Sequence, residues 1–504
     1  MVRMTRWVTA AVAMAAAASL AACAGGGSAS TGTGDASSTL RLSIAAPPSN
    51  FSIGNWSGGD STLAMSVYDS LIHREVDGSL NGGLAESWEY DESATNLTLH
   101  LREGVSFSNG EPLDAAAVVA NVEVLRAGSS TAQNLASVSS VAAPDDSTVV
   151  IGLSEPDAAI VPLLSNTNGL IGAPSVLTAE SSQLAPVGSG PYTLNEQKTV
   201  AGAKYVLDKN ADFYDAADYP FETVEIQVIQ DPTAVQNAMK AGQLDSAGLS
   251  SEDLIAQFPE SEFTTGQNKP STVGALWLVD REGTIVPALK DERVRRAINL
   301  AFDRTAIAEG LGSGYLNASE QIVSPTGGAW DDELNGAYDY DVDQAKQLLA
   351  EAGYADGFDV TMPSTVVSTK FESAIGQALA DIGVTVTWES VPFQDFYSKV
   401  FGGSYGMFFM MNGLGGSDAL DVNASLSGVF NPYLSTTPEL ESLLAAANLS
   451  QDEEAFAPVN EYLVDQAWFA PLFYITSLYV VSNDVEYTSP VVGNLTVQPW
   501  SPNN

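Results

Sequence analysis

The sequence predicts an α/β protein of two lobes or domains. Short alternating apolar runs are interleaved with stretches of helical periodicity along the chain. The chain has 504 residues, well beyond the ~250–300 at which a single core stops growing. Hydrophobic residues make up 45% of it and there are eight Trp, a globular composition and not a disordered one.

The elements follow in order. "TLRLSI" alternates Leu40, Leu42 and Ile44 as a half-buried strand and ends before Pro47-Pro48. "NLTLHLREGVSFSNG" reads as strand, turn, short strand and turn. "EPLDAAAVVANVEVLRAG" is a helix with Val118, Val122 and Leu125 at helical spacing. "STVVIGLSEP" is a strand, "DAAIVPLLSN" a short helix, and "GPYTLNEQKTVAGAKYVLDKN" a hairpin. "FETVEIQVIQ" is a strand. "DPTAVQNAMKAGQLD" is a helix with Pro in its first turn and Gly242 near its end. In the second half, "DERVRRAINLAFDRTAIAEGLG" reads as one amphipathic helix. There Asp291 and Glu292 lie four residues before Arg295 and Arg296, as surface salt bridges require. "VDQAKQLLAEAGY" is a helix stopped by Gly353. "GFDVTMPS", "KFESAIGQALADIG" and "VTVTWESV" form a β-α-β unit. Helices "TPELESLLAAANL" and "EEAFAPVNEYLVDQA" and the apolar strand "APLFYITSLYVVS" follow.

The N-terminus reads separately. Arg3 and Arg6 precede the apolar run "WVTAAVAMAAAASLAA", and no acid precedes Asp35. A basic start, a short apolar run and small residues describe a secretory signal over residues 1–22. The run is shorter than the ~20 residues of a spanning helix. Cys23 is the only cysteine, which excludes an intramolecular disulfide and a CxxC pair. Leu20-Ala21-Ala22-Cys23 resembles the lipobox of bacterial lipoproteins, in which the cysteine is lipidated and becomes the new N-terminus. Residues 23–39, rich in Gly, Ser, Thr and Ala, read as a flexible linker. Loss of the signal moves the formal charge from −42 to −44, because it removes two arginines and no acid. That balance excludes nucleic acid as a partner. The acids are scattered, as on a solvated surface.

Five segments, in order, resemble one family, the bacterial extracellular solute-binding proteins of family 5, which serve peptide, nickel and related ABC importers. The stretch Tyr68–Val119 carries its early pattern at Leu71, Gly78, Leu84, Ala85, Ser87, Trp88, Leu101, Arg102, Gly104, Val105, Phe107, Gly110 and Val118. "GSGPY" resembles the family's G-T-G-P-Y turn with Ser189 for Thr. "AGQLD", "RVRRAINLAFDRTAI" and "YDVDQAKQLLAEAGY" resemble its later helices. The resemblance implies an α/β, two-lobed, periplasmic-binding-protein-like fold of type II, class C, with an extra subdomain in lobe one. It places lobe one at 40–57, 186–271 and 476–504, the subdomain at 58–185 and lobe two at 272–475. Hinges fall near "NKPSTVGALW" and "FYITSLYVV".

The resemblance also implies a solute between the lobes, and three stretches become candidates for holding it. Phe51, Asn55 and Trp56 follow the first strand and could line the cleft or simply pack. Trp277 could form a cleft wall or belong to the core, and Asp280 stands where the family often has Asn. In "MMNGLGGSDALD", which begins just before Asn412, the peptide-binding branch carries a G-W-x-x-D-type loop whose Asp meets the solute's ammonium. Here Leu414 replaces the Trp, and the Asp falls at Ser417 or, with a gap, at Asp418. Asp418 is the expected anchor and Asp421 the fallback, the alternative being a capping Asp in a glycine-rich loop. Trp88 and Arg102 read as framework, as do His73 and His100, which leaves nickel without histidine ligands, although a chelated metal needs few ligands from the protein. "GGSYG" from Gly402 matches a hydrolase elbow, but no His follows His100 to act with Ser404. "DYDVD" from Asp339 begins like a calcium loop, but Gln344 and Ala350 stand where Gly and Glu are required.

The sequence therefore implies a non-enzymatic receptor without cofactor or metal. It would be held by Cys23 on the outer face of a cell membrane, extracellular or periplasmic, as a monomer that delivers peptides to an ABC permease. The alternatives are an oligosaccharide or other non-peptide cargo, nickel, or a secreted hydrolase.

Overall fold

The computed structural model describes residues 38–48, 50–54, 61–128, 131–180, 184–492 and 496–503. The proposed signal, Cys23, nearly all of the linker, Asn55 and Trp56 lie outside the described residues. Among the described residues no helix is long and apolar enough to cross a membrane.

Two four-stranded sheets share the first core. One runs in the order Thr39–Ile44, Thr223–Val228, Lys204–Lys209, Tyr192–Leu194, with its first pair parallel and Leu40 opposite Val224. The other is antiparallel, in the order Ala85–Tyr90, Asn96–Leu101, Thr148–Leu153, Val138–Ala142. Alternation along Asn96–Leu101 buries Leu97, Leu99 and Leu101, against which helix Ala115–Ala127 sets Val118, Val122 and Leu125. Asp114 caps that helix by accepting the Ala117 N–H at 2.9 Å. Val481, Val485 and Val497, from the end of the chain, complete this cluster.

The larger sheet is built on two long strands, Phe263–Trp277 and Ala470–Ser482, paired antiparallel from Phe263/Ser482 to Leu276/Ala470. Ser246–Leu249 and Phe408–Gly413 flank them, and Leu316–Ala318 pairs with the second. The register slips between Gln267, Pro270 and Thr272, where a proline without an N–H interrupts the ladder. Alternation divides this sheet into two faces. Leu276, Phe409 and Phe473 meet helix Glu292–Leu300 and the parallel pair Phe358–Ser364/Val384–Ser390. Ala275, Trp277, Phe408 and Met410 meet helices Asp418–Ser425 and Ala457–Asp465. Trp277 is 0% exposed, its ring lies 4.0 Å from that of Phe430, and its indole N–H donates to the Met410 carbonyl at 3.0 Å.

Two expectations are corrected. Residues 291–312 form two helices, Glu292–Leu300 and Arg304–Leu311, because Asp303 caps the second by accepting the Ala306 N–H at 2.9 Å. Arg295 is not a surface salt bridge. It is 6% exposed and donates to the carbonyls of Leu289 at 3.0 Å and Gln466 at 2.9 Å. Arg296 does pair with Glu292, at 2.5 Å.

The histidines are framework. His100 is half-exposed near Glu89, at 3.8 Å. His73 is enclosed. Its Nε2 lies 2.7 Å from Asp69 Oδ1, while Asp69 Oδ2 accepts the Tyr214 hydroxyl at 2.7 Å. The Arg102 guanidinium stacks 4.0 Å over the Tyr214 ring. This knot fixes the strand Ile72–Arg74 and so aims Arg74.

Burial alone would lower the His73 pKa, but the charge and hydrogen bond of Asp69, together with the charges of Asp215 and Glu75, outweigh it and raise the pKa. A raised imidazole pKa adds stability that is complete below the ordinary value of 6.5 and is lost as pH rises through the folded-state value. Thermal melts across pH 5.5–9 will therefore show a declining component in the wild type that is missing in His73→Gln; parallel curves would refute it. Trp277→Ala will lower the unfolding free energy by about 3–5 kcal/mol in urea titrations, as for an aromatic removed from a filled core.

Candidate functional site

The site is built around the loop between strand Phe408–Gly413 and helix Asp418–Ser425. Gly416 takes φ +76°, a left-handed backbone that suits glycine. Ser417 caps the helix through its side chain. The helix then starts on Asp418, which is 1% exposed. Asp418 Oδ2 accepts the Ala329 N–H at 2.8 Å, and Oδ1 has no hydrogen-bond partner. Gly327 covers that oxygen so closely that a Cβ there would sit 2.2 Å from it.

Two further carboxylates surround Asp418. Glu453 accepts the Asp418 N–H from the far side of the helix start. Asp421, one turn on and 2% exposed, accepts the Gly415 N–H at 2.6 Å and closes the loop. Arg74 reaches in from the first core and donates to the Gly416 carbonyl at 2.6 Å and to Gly78 at 3.2 Å. Burial raises the Asp418 pKa to about 7, with the Glu453 charge adding to it and the Ala329 and Gly328 N–H groups opposing. Burial pushes Asp421 well above the carboxylate range, and the charges of Asp418 and Glu453 push the same way. Burial lowers the Arg74 pKa, while Glu453 and Asp421 hold it up. Arg74, Asp77, Gly327, Gly416, Asp418 and Glu453 together line a cavity of about 300 Å³. Such a wall favours a solute that brings a positive group.

The structure brings only part of the expected set together. Asn412 lies in one cross-strand row with Val273 and Tyr474, on the sheet face that leads to the Asp418 loop. Trp277 sits deeper on that face with no exposed surface, so its place is the core and not a cleft wall. Phe51 is 3% exposed, edge-on to Tyr205, and belongs to the first core. Leu414, in the position expected for the aromatic, is buried. Asp280 is 0% exposed and accepts the N–H groups of Thr284, Ile285 and Val286, a turn-forming role.

The sequence reading missed Arg74, Glu453, Gly327 and an aromatic pair beside the anchor. Trp330 and Tyr474 meet edge to face at 6.2 Å, with the Trp330 indole N–H donating to Asp332 at 2.8 Å. "GGAW" at Gly327–Trp330 was the available signal, since paired glycines mark a close backbone approach. Arg74 and Glu453 carried none, being charges among many. Ser404 is exposed and follows a helix instead of ending a strand, which is not an elbow geometry. Among the described residues no group of three or more His, Cys, Asp or Glu is placed to hold a metal ion.

Comparison with known proteins bears on this geometry. The profile of the bacterial extracellular solute-binding proteins, family 5, matches residues 79–432. A probable di/tripeptide-binding protein of Pseudomonas aeruginosa is 24% identical over 505 residues, covering 90% of this chain and 93% of its own. Heme-binding protein A of Haemophilus influenzae is 28% identical, and the match covers 64% of this chain but only 63% of that protein. Among solved structures, the Brucella suis NikA complex with Fe(III)-EDTA superposes with a TM-score of 0.75 at 24% identity, over 92% of this chain and 100% of that one. The Helicobacter pylori DppA complex with the peptide STSA superposes with a TM-score of 0.73 at 20% identity, over 92% and 98% of the two chains. With its profile spanning more than half of the sequence, and with that fold, this chain belongs to the bacterial extracellular solute-binding proteins of family 5.

Proposed function

We propose that this chain is the lipid-anchored receptor of an ABC importer that captures peptides between two closing lobes. The observation that carries the reading is Asp418, a buried carboxylate with one unpartnered oxygen, which lines a cavity of about 300 Å³. A peptide's free ammonium supplies the missing partner by a charge-assisted bond. Two relatives support peptides as cargo, the di/tripeptide-binding protein and a structure complexed with STSA.

In this reading lobe one is 40–57, 186–271 and 476–504, with 58–185 as its subdomain, and lobe two is 272–475. The slip of register around Pro270 supports a bending point there. Closure follows because Arg74 from one body and Asp418 from the other contact the solute together only when the bodies meet. A non-peptide solute is the second reading. The absence of an aromatic at Leu414 favours it, and one neighbour is complexed with agropinic acid. Nickel lacks histidine ligands here, since His73 is taken up by Asp69.

A thermal-shift screen with di- and tripeptides will find stabilising solutes, by about 2.7 kcal/mol at one hundred times Kd. Asp418→Asn will weaken the best of them about tenfold to a hundredfold, the range of a lost charged hydrogen bond. Stabilisation by sugars and by no peptide would overturn the peptide reading. Because Asp418 loses its proton only near pH 7, peptide affinity measured by calorimetry will fall as pH drops from 8 to 5.5. Asp418→Asn and N-acetylated peptides will show flat profiles. Cys23→Ala will be recovered in the medium or as unprocessed precursor; a fully processed form still on the membrane would refute the anchor.

A further inference from the structure

We propose that this chain carries a second binding site, apart from the Asp418 cavity, that takes a methylated ammonium such as the trimethylammonium head of choline. The proposal does not depend on the peptide reading. The site is a cavity of about 400 Å³, lined by Trp88 and Tyr90 from the first core and by Asp452 and Glu453 from the later part of the chain. Leu80 and Glu453 line both this cavity and the one at Asp418, and so form the wall between them.

The rings come first. Trp88 and Tyr90 lie two residues apart on strand Ala85–Tyr90, so both side chains stand on one face of the sheet. Their cross-strand partners, Leu99 and Leu97, are buried in the first core. The strand is the edge of its sheet, and there the two rings are only half-buried. Two residues along a strand span about 6.5–7 Å. A cation between two such rings lies within the roughly 6 Å of each centroid over which an aromatic face attracts it. The Tyr90 hydroxyl has no hydrogen-bond partner among the described residues, so no framework bond accounts for a tyrosine at this position.

The charge is of one sign. Glu453 is half-buried and is held in place by the Asp418 N–H that it accepts, while Glu89 and Asp452 are exposed at the rim. Among the described lining residues none is Lys, Arg or His. Leu80, Ala158, Val161 and Pro162 make much of the remaining wall apolar. This combination selects among cations. A metal ion needs several convergent ligands, and among the described residues no group of three or more His, Cys, Asp or Glu is placed to hold one. A primary ammonium or a guanidinium needs an acceptor for each N–H, which an apolar wall does not offer. A quaternary ammonium has no N–H to satisfy. It needs ring faces and a nearby negative charge, and this cavity has both.

The test is calorimetry of the full chain with choline and with dimethylbutanol, its uncharged carbon isostere, at one fixed ionic strength. The wild type will bind choline at least tenfold more tightly than the isostere. In NMR, saturation of the protein's aromatic protons will pass to the choline methyl groups. Tyr90→Leu, which keeps apolar bulk at this position, will weaken choline at least tenfold at an unchanged melting temperature, whereas Asp418→Asn will leave choline affinity within threefold. If Tyr90→Leu melts early, the saturation transfer in the wild type decides. Flotation with phosphatidylcholine vesicles separates the two sources of this group: vesicle binding that free choline displaces assigns a lipid head group, and choline binding without it assigns a free solute. No choline binding, equal binding of the isostere, absence of saturation transfer, or loss of choline in Asp418→Asn but not in Tyr90→Leu overturns the site.

Discussion

The pairing of strand Phe263–Trp277 with strand Ala470–Ser482 is the constraint on which the rest of the molecule depends. The two segments are about two hundred residues apart in sequence, yet they lie side by side along most of their length. Each runs from the small cluster of Met239, Phe258, Phe263 and Val480 to the large cores around Leu276 and Phe473. The close approach is demanding. A Cβ at Gly274 would meet the Phe473 ring at 2.3 Å, and one at Gly266 would meet the Tyr479 hydroxyl at 2.6 Å. Strand Phe408–Gly413, which leads into the Asp418 loop, is paired directly onto that frame.

The loop itself shows how electrostatics is settled where burial is deep. Asp418, Asp421 and Glu453 would repel one another if all were ionised in so small a space, and desolvation makes each charge costly. Backbone N–H groups from Ala329 and Gly415 and the Arg74 guanidinium offset part of this. Burial and the neighbouring charges raise the pKa values of both aspartates, so that a proton on either relieves the remainder. The acidity of the chain as a whole does not create the site. Enclosure does, by burying Asp418 and Asp421 so that their ionisation responds to what arrives beside them.

Much of this architecture was legible in the residues. Alternation at Leu40, Leu42 and Ile44 and helical spacing at Val118, Val122 and Leu125 marked real elements, because burial on one face is a local property of the pattern. The β-α-β unit at 358–390 was visible for the same reason. The break at Asp303 was not, since the apolar period runs straight through it and only the capping geometry stops the helix. Motif position drew the sequence reading to Asp418, which the structure buries beside a cavity. Trp277 and Phe51 were harder, because an aromatic near a cleft and an aromatic beneath it look alike until depth is known. Arg74 and Glu453 become distinctive only through contacts with residues more than thirty positions away.

The return of the chain's end to its beginning sets an order of events during synthesis. Val481, Val485 and Val497 fill the core that Leu40 and Val224 begin, so this core has a gap until they have been made. A ribosome makes those residues after the rest of this core. A chain missing them exposes apolar surface and cannot settle into its final packing. It stays loose, and it locks only when Val481, Val485 and Val497 are in place.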